Sequence, residues 1–152
     1  TWALNDFIVR EFFPSLIPGM SLLIQQDYVH PTCPWLAVTM EYFGDAFELL
    51  GYVPGNSMVY LARERITPEQ ASMKLSELPD GEKLALMDRA IERCRVRLTP
   101  NELVELEAGR SLMQLWINGP EAARADLERI KTEYAGQPRL EVAARWVERR
   151  LL

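Results

Sequence analysis

The chain has 152 residues, 48% hydrophobic and 26% charged, with a net charge of −5 and a pI near 5.0. That length supports one domain, or one domain with an appendage, and a core of ordinary size. The acidic balance argues against nucleic acid and against an anionic membrane as partners, because both attract clustered Lys and Arg; no apolar run reaches the roughly 18 residues of a membrane span, and Asn5, Asp6, Arg10 and Glu11 interrupt the N-terminal apolar residues where a secretory signal would be continuous.

Composition changes near residue 66. Residues 1–66 hold three of the 17 basic residues and all five phenylalanines, whereas residues 67–152 mix 14 basic with 15 acidic residues. The first stretch reads as a buried α/β unit and the second as solvated helices. The chain opens on Thr1-Trp2 without an initiator methionine, which suggests a piece of something longer.

In chain order, Leu4, Phe7, Ile8 and Phe12 recur at helical spacing and predict a helix over about 3–13, ended by Pro14. Pro18-Gly19 marks a turn. Ser21–Gln26 is a short apolar run without alternation, as expected of a strand covered on both faces. It ends in Asp27, Tyr28 and the chain's only histidine, His30. Pro31 and Pro34 mark a loop, and Pro34 suits the first turn of a helix running to about Phe43. Phe47–Val53 and Ser57–Arg63 flank Pro54-Gly55-Asn56 and predict an antiparallel hairpin.

The second stretch is punctuated for helices. Thr67-Pro68-Glu69-Gln70 and Thr99-Pro100-Asn101-Glu102 match the capping box, with Pro at the first helical position. Pro79-Asp80-Gly81 starts a helix with Leu84, Met87, Ala90, Ile91 and Cys94 on one face. Leu103, Leu106, Met113, Trp116 and Ile117 mark the next, closed by Asn118-Gly119. Pro120 and Pro138 open two more, and connections this short favour antiparallel neighbours. Cys33 and Cys94 form neither a CxxC nor a zinc-ligand pattern, and the expectation is two free thiols of a cytoplasmic protein.

The chemistry-bearing residues gather after the first strand, and in open α/β sheets ligands bind beyond the carboxyl ends of strands. Asp27 could ligate a hard cation such as Mg²⁺ or accept a substrate proton; its plain alternative is a turn residue. His30 could serve as a general base, against the plain reading of a loop histidine. Tyr28 and Trp35 could line a substrate pocket, against packing in the core. Arg145, Arg149 and Arg150 read as a solvated helix end. No Gly-rich phosphate loop, nucleophile elbow or zinc motif is present.

The stretch from Leu4 to about Arg63 resembles the C-terminal half of a class I S-adenosylmethionine-dependent methyltransferase. Leu16-Ile17-Pro18-Gly19 is similar to the turn before that family's fifth strand, and Leu22–Gln26 to the strand itself. Asp27-Tyr28 is similar to the pair ending it in metal-dependent sugar O-methyltransferases of the macrocin type. The resemblance implies a partial Rossmann-like sheet over 1–66 of about three strands, the last two a hairpin, with 67–152 an added antiparallel helical region. It implies methyl transfer to a hydroxyl of a sugar or small metabolite in an intact protein, with S-adenosylmethionine as cofactor and Mg²⁺ held in part by Asp27; in that reaction His30, which the resemblance does not itself assign, would be the candidate base. Gln26 and Met20 depart from the pattern, standing where a second acidic residue and a second glycine are common. The glycine-rich cofactor loop and the ribose-binding acid are absent, so this chain alone is expected to be inactive. The rival expectation is a non-enzymatic interaction or oligomerisation module that associates through the sheet edge or the helices.

Overall fold

The computed structural model describes residues 1–152, a mixed α/β chain. Helix α1 (Trp2–Phe12) is capped by the Thr1 hydroxyl, which accepts from the Leu4 N–H. Pro14 breaks it into a single 3-10 turn, Phe13–Ser15. Strand β1 (Leu22–Gln25) follows, then helix α2 (Pro34–Phe43), which starts on Pro34. Strands β2 (Phe47–Val53) and β3 (Ser57–Ala62) form the expected hairpin, with a bulge between Leu49 and Gly51.

The sheet order is β1-β3-β2 and both pairings are antiparallel. Strands β1 and β2 therefore run in the same direction, joined across α2, with β3 reversed between them. This corrects the expectation of a strand covered on both faces. Leu22 is 57% and Ile24 63% exposed, while Leu23 between them packs on the core. One face of β1 is bare, and its outer edge has no partner strand. The run Leu22-Leu23-Ile24 lacks alternation because apolar residues occupy both faces, not because both are covered.

Helices α3 (Pro68–Ala71), α4 (Asp80–Cys94), α5 (Pro100–Asn118), α6 (Pro120–Glu133) and α7 (Leu140–Leu151) complete the chain. The capping chemistry forms as read. The Gln70 N–H donates to Thr67 Oγ1 at 3.2 Å, and the Thr67 N–H returns to Gln70 Oε1 at 2.8 Å. At α5 the Glu102 carboxylate accepts from the Thr99 N–H at 2.9 Å. No helix is long and apolar enough to cross a membrane.

The two stretches do not pack as independent bodies. A single cluster of 35 buried apolar residues runs from Val9 and Phe13 through Met58 and Tyr60 to Met87, Leu112, Ile130 and Val147. Helix α5 lies close to the loop after β1 because position 109 is glycine. A Cβ there would stand 3.3 Å from the Pro31 carbonyl oxygen and 3.6 Å from Met87 Cε. Alanine would gain helix propensity against a tight contact, so Gly109→Ala is expected to be near neutral. Gly109→Val adds two further carbons against rigid backbone and is expected to cost about 2 kcal/mol by urea denaturation.

Candidate functional site at the end of strand β1

The chain leaves β1 through Asp27, whose φ of +59° lies in the left-handed region that favours glycine. Asn56, in the β2–β3 turn, has φ of +71°. These are the two non-glycine residues with positive φ, and they are neighbours in space, because the Tyr28 N–H donates to the Asn56 carbonyl at 2.9 Å. Asp and Asn tolerate this conformation because a short polar side chain replaces lost local hydrogen bonds. Successive turns then carry the chain to α2, with the His30 N–H on the Asp27 carbonyl and the Cys33 N–H on the His30 carbonyl.

The helical stretch reaches this loop and the adjoining hairpin turn through two side chains, Trp146 and Arg139. Arg139 Nη1 donates to Asn56 Oδ1 at 3.2 Å and to Glu105 Oε2 at 3.1 Å. Its backbone N–H donates to Asn101 Oδ1 at 2.7 Å. Trp146 of α7 meets the His30 ring edge-on, with centroids 5.1 Å apart, and carries the Arg150 guanidinium over its own ring. His30 Nδ1 accepts from the Thr32 N–H at 3.3 Å and lies 2.9 Å from the Thr32 hydroxyl. In that arrangement the neutral ring carries its proton on Nε2.

The four residues singled out from sequence thus have different fates. Asp27 is exposed at the strand end. His30 is half-buried and packed on Trp146. Tyr28 turns its ring into the core, 1% exposed, so it offers no surface to a ligand and the core reading holds in place of the pocket one. Trp35 packs edge-on against Trp2 where α1 meets α2. Arg139, Glu105, Asn56 and Trp146 were not anticipated. Glu105 carried a signal, since it stands with Glu107 inside the otherwise apolar run Leu103–Gly109.

Burial pushes the Glu105 carboxyl above its usual 4.5, opposed by the Arg139 guanidinium. A raised carboxyl pKa means that the folded chain holds the proton more tightly than the unfolded one. Its contribution is full below 4.5 and is lost as pH rises through the folded value. Relative to Glu105→Gln, the native chain is expected to lose stability as pH climbs above 4.5, read from denaturant midpoints along a pH series.

No group of three or more His, Cys, Asp or Glu side chains converges as a metal site. An open cleft of about 440 Å³ lies elsewhere, between α4, α5 and α6. Its charges are paired with one another. Glu107 accepts from Arg95 and Arg129, and Asp126 from Ser111 and Arg129.

Both cysteines are free. Burial pushes the Cys94 thiol up to about 12, and it is 1% exposed. A thiol needs its thiolate and access to react. An alkylating reagent at pH 8 is expected to label Cys33 in the folded chain and Cys94 only after denaturation, as mass spectrometry would show. Comparison with protein-family models, with curated proteins and with solved structures finds no match to this chain.

Proposed function

We propose that this chain is the C-terminal part of a class I methyltransferase-like protein that, when intact, transfers a methyl group to a hydroxyl of a sugar or small metabolite. The observation that carries the reading is the unit built on β1. A strand follows a Pro-Gly turn, leads into Asp27-Tyr28, crosses over through α2 to β2 running in the same direction, and β3 then returns antiparallel between the two. The unpartnered β1 edge and the bare Leu22 and Ile24 supply a surface on which further strands and helices could pack.

The residues that resemble the family include none of its cofactor-binding elements, and Asp27 is the one exposed carboxylate at the strand end. Mg²⁺ is commonly bound by one or two carboxylates together with water and substrate oxygens. Asp27 would supply one oxygen ligand and orient the acceptor hydroxyl. With its proton on Nε2, His30 could take another only at Nδ1, which already accepts from the Thr32 N–H, so its packing on Trp146 fits positioning of the loop better than base catalysis. Calorimetry with S-adenosylmethionine and Mg²⁺ on the full-length protein tests the proposal. Binding of the cofactor by the full-length protein, and weaker Mg²⁺ binding in Asp27→Asn, are the expected results. Binding of neither overturns it.

A second reading, an interaction module, is favoured by one observation. Helix α1 carries a solvent-facing apolar stripe of Leu4, Phe7, Ile8 and Phe12. Light scattering on this chain distinguishes them, because a clean monomer at high concentration counts against self-association.

A further inference from the structure

The sheet has two free edges, and they differ. The β2 edge is interrupted by the bulge between Leu49 and Gly51 and carries Glu48, paired with Arg63. A bulge and a charge both keep a further strand away. The β1 edge has neither. Leu22–Gln25 pairs with β3 in unbroken register and holds no charged residue and no proline.

Hydrogen bonding fixes which groups face outward. The Ala62 N–H donates to the Ser21 carbonyl at 3.0 Å, and Leu22 stands opposite Leu61. Antiparallel pairs alternate between bonded and non-bonded, so Leu22 and Ile24 are non-bonded toward β3. Their N–H and C=O groups therefore point to the open edge, and no loop or turn bond reaches them. The same two residues carry the exposed side chains of the strand, beside Leu61 and Val59 of β3.

We propose that this edge is occupied by β1 of a second copy, running antiparallel about a two-fold axis at Leu23. Leu22 then pairs with Ile24 of the second copy, and Ile24 with its Leu22. Each pair exchanges two hydrogen bonds, so every outward donor and acceptor of both residues is used. Leu23 meets its own counterpart as a non-bonded pair, in phase with its bonds to β3. The axis also places each Asp27, just beyond the C-terminal end of β1, at the end of the joint where β3 of the other copy runs out at Arg63. Acid faces base there, so two chains of net charge −5 meet without like charges opposed. A two-fold joint is closed and stops at the dimer. The proposal rests on the self-association reading and gives it a surface; the joint and a further strand of the same molecule are mutually exclusive occupants of one edge.

Amide hydrogen exchange by NMR, across the concentrations at which light scattering shows association, tests the joint on the 152-residue chain. The Leu22 and Ile24 amides are expected to be protected only in the dimer, and those of Leu23 and Gln25 in both states. Ile24→Pro removes an outward donor and no ladder bond. It is expected to raise the dimer dissociation constant about tenfold or more, because one donor is lost from each copy. Ile24→Lys puts a charge on the edge and is expected to act in the same direction, which keeps the test open if proline disturbs the strand. A dimer that leaves the Leu22 and Ile24 amides unprotected, and that Ile24→Lys does not weaken, overturns the joint and leaves self-association to the α1 stripe. A monomer at every concentration overturns both.

Discussion

Phe13→Ala is expected to destabilise the chain by about 3–5 kcal/mol, the range for emptying a buried aromatic site. Phe13 is 1% exposed. Its ring sits 5.3 Å from both Phe43 and Phe47, which are themselves 6.4 Å apart. The three rings come from the ends of α1 and α2 and the start of β2, so the triangle fixes where all three elements meet. Tilted and edge-on contacts place ring edges against faces, which adds to the area buried. Alanine would leave a void bounded by two aromatic faces that belong to different elements, and such a site collapses poorly. For a chain of this size the loss corresponds to a fall in Tm of roughly 10 °C. Phe13→Leu keeps most of the volume and is expected to lose less than half as much. Urea denaturation of both variants checks the pair, and equal losses would mean that ring geometry, not volume, holds the junction.

Glu107→Ala is expected to cost about 3 kcal/mol, at the low end for removing one partner of a buried ion pair. The Glu107 side chain is 2% exposed. It accepts from Arg95 Nη2 at 3.2 Å, Arg129 Nη2 at 2.6 Å and Tyr134 Oη at 3.3 Å. One carboxylate thus ties α5 to the end of α4 and to α6. The arginine side chains are 37% and 41% exposed, so after the change they can turn to water. Tyr134 has no such escape, since it is buried and loses its acceptor. Glu107→Gln keeps an acceptor but not the charge, and its loss is expected to fall between zero and the alanine value. Adding salt separates the contributions. If Coulomb attraction dominates, the gap between native and Gln chains narrows in high salt; a constant gap would assign the effect to hydrogen bonding.

Much of the element map was legible because this chain is punctuated by proline, glycine and capping boxes. Pro34, Pro54-Gly55-Asn56, Thr67, Thr99 and Gly119 mark boundaries by local backbone chemistry, which needs no tertiary contact. Coverage of β1 was not legible. Four residues with apolar side chains on both faces look the same whether a face meets a helix or water. The site was legible only in its first half. Asp27 and His30 follow a strand by a few residues, whereas Arg139 reaches Asn56 across 83 residues of chain. No spacing rule links an arginine before a late helix to an asparagine in a hairpin turn. The glutamates at 105 and 107 were a partial exception, since charge inside an apolar helical run demands buried partners even when their identity is hidden.

The bridge from Arg139 to the hairpin turn has a consequence for the order of assembly during synthesis. Strands β2 and β3 and their turn are complete once residue 62 has been made, yet the turn's Asn56 gains its guanidinium partner only when residue 139 arrives. Contacts of such long sequence separation form late, because the intervening chain must first be closed into a loop. A nascent chain halted after α4 would therefore carry a formed hairpin whose left-handed Asx pair is held from one side only. The segment around Asp27 would reach its final rigidity last, after the helices that brace it have left the ribosome.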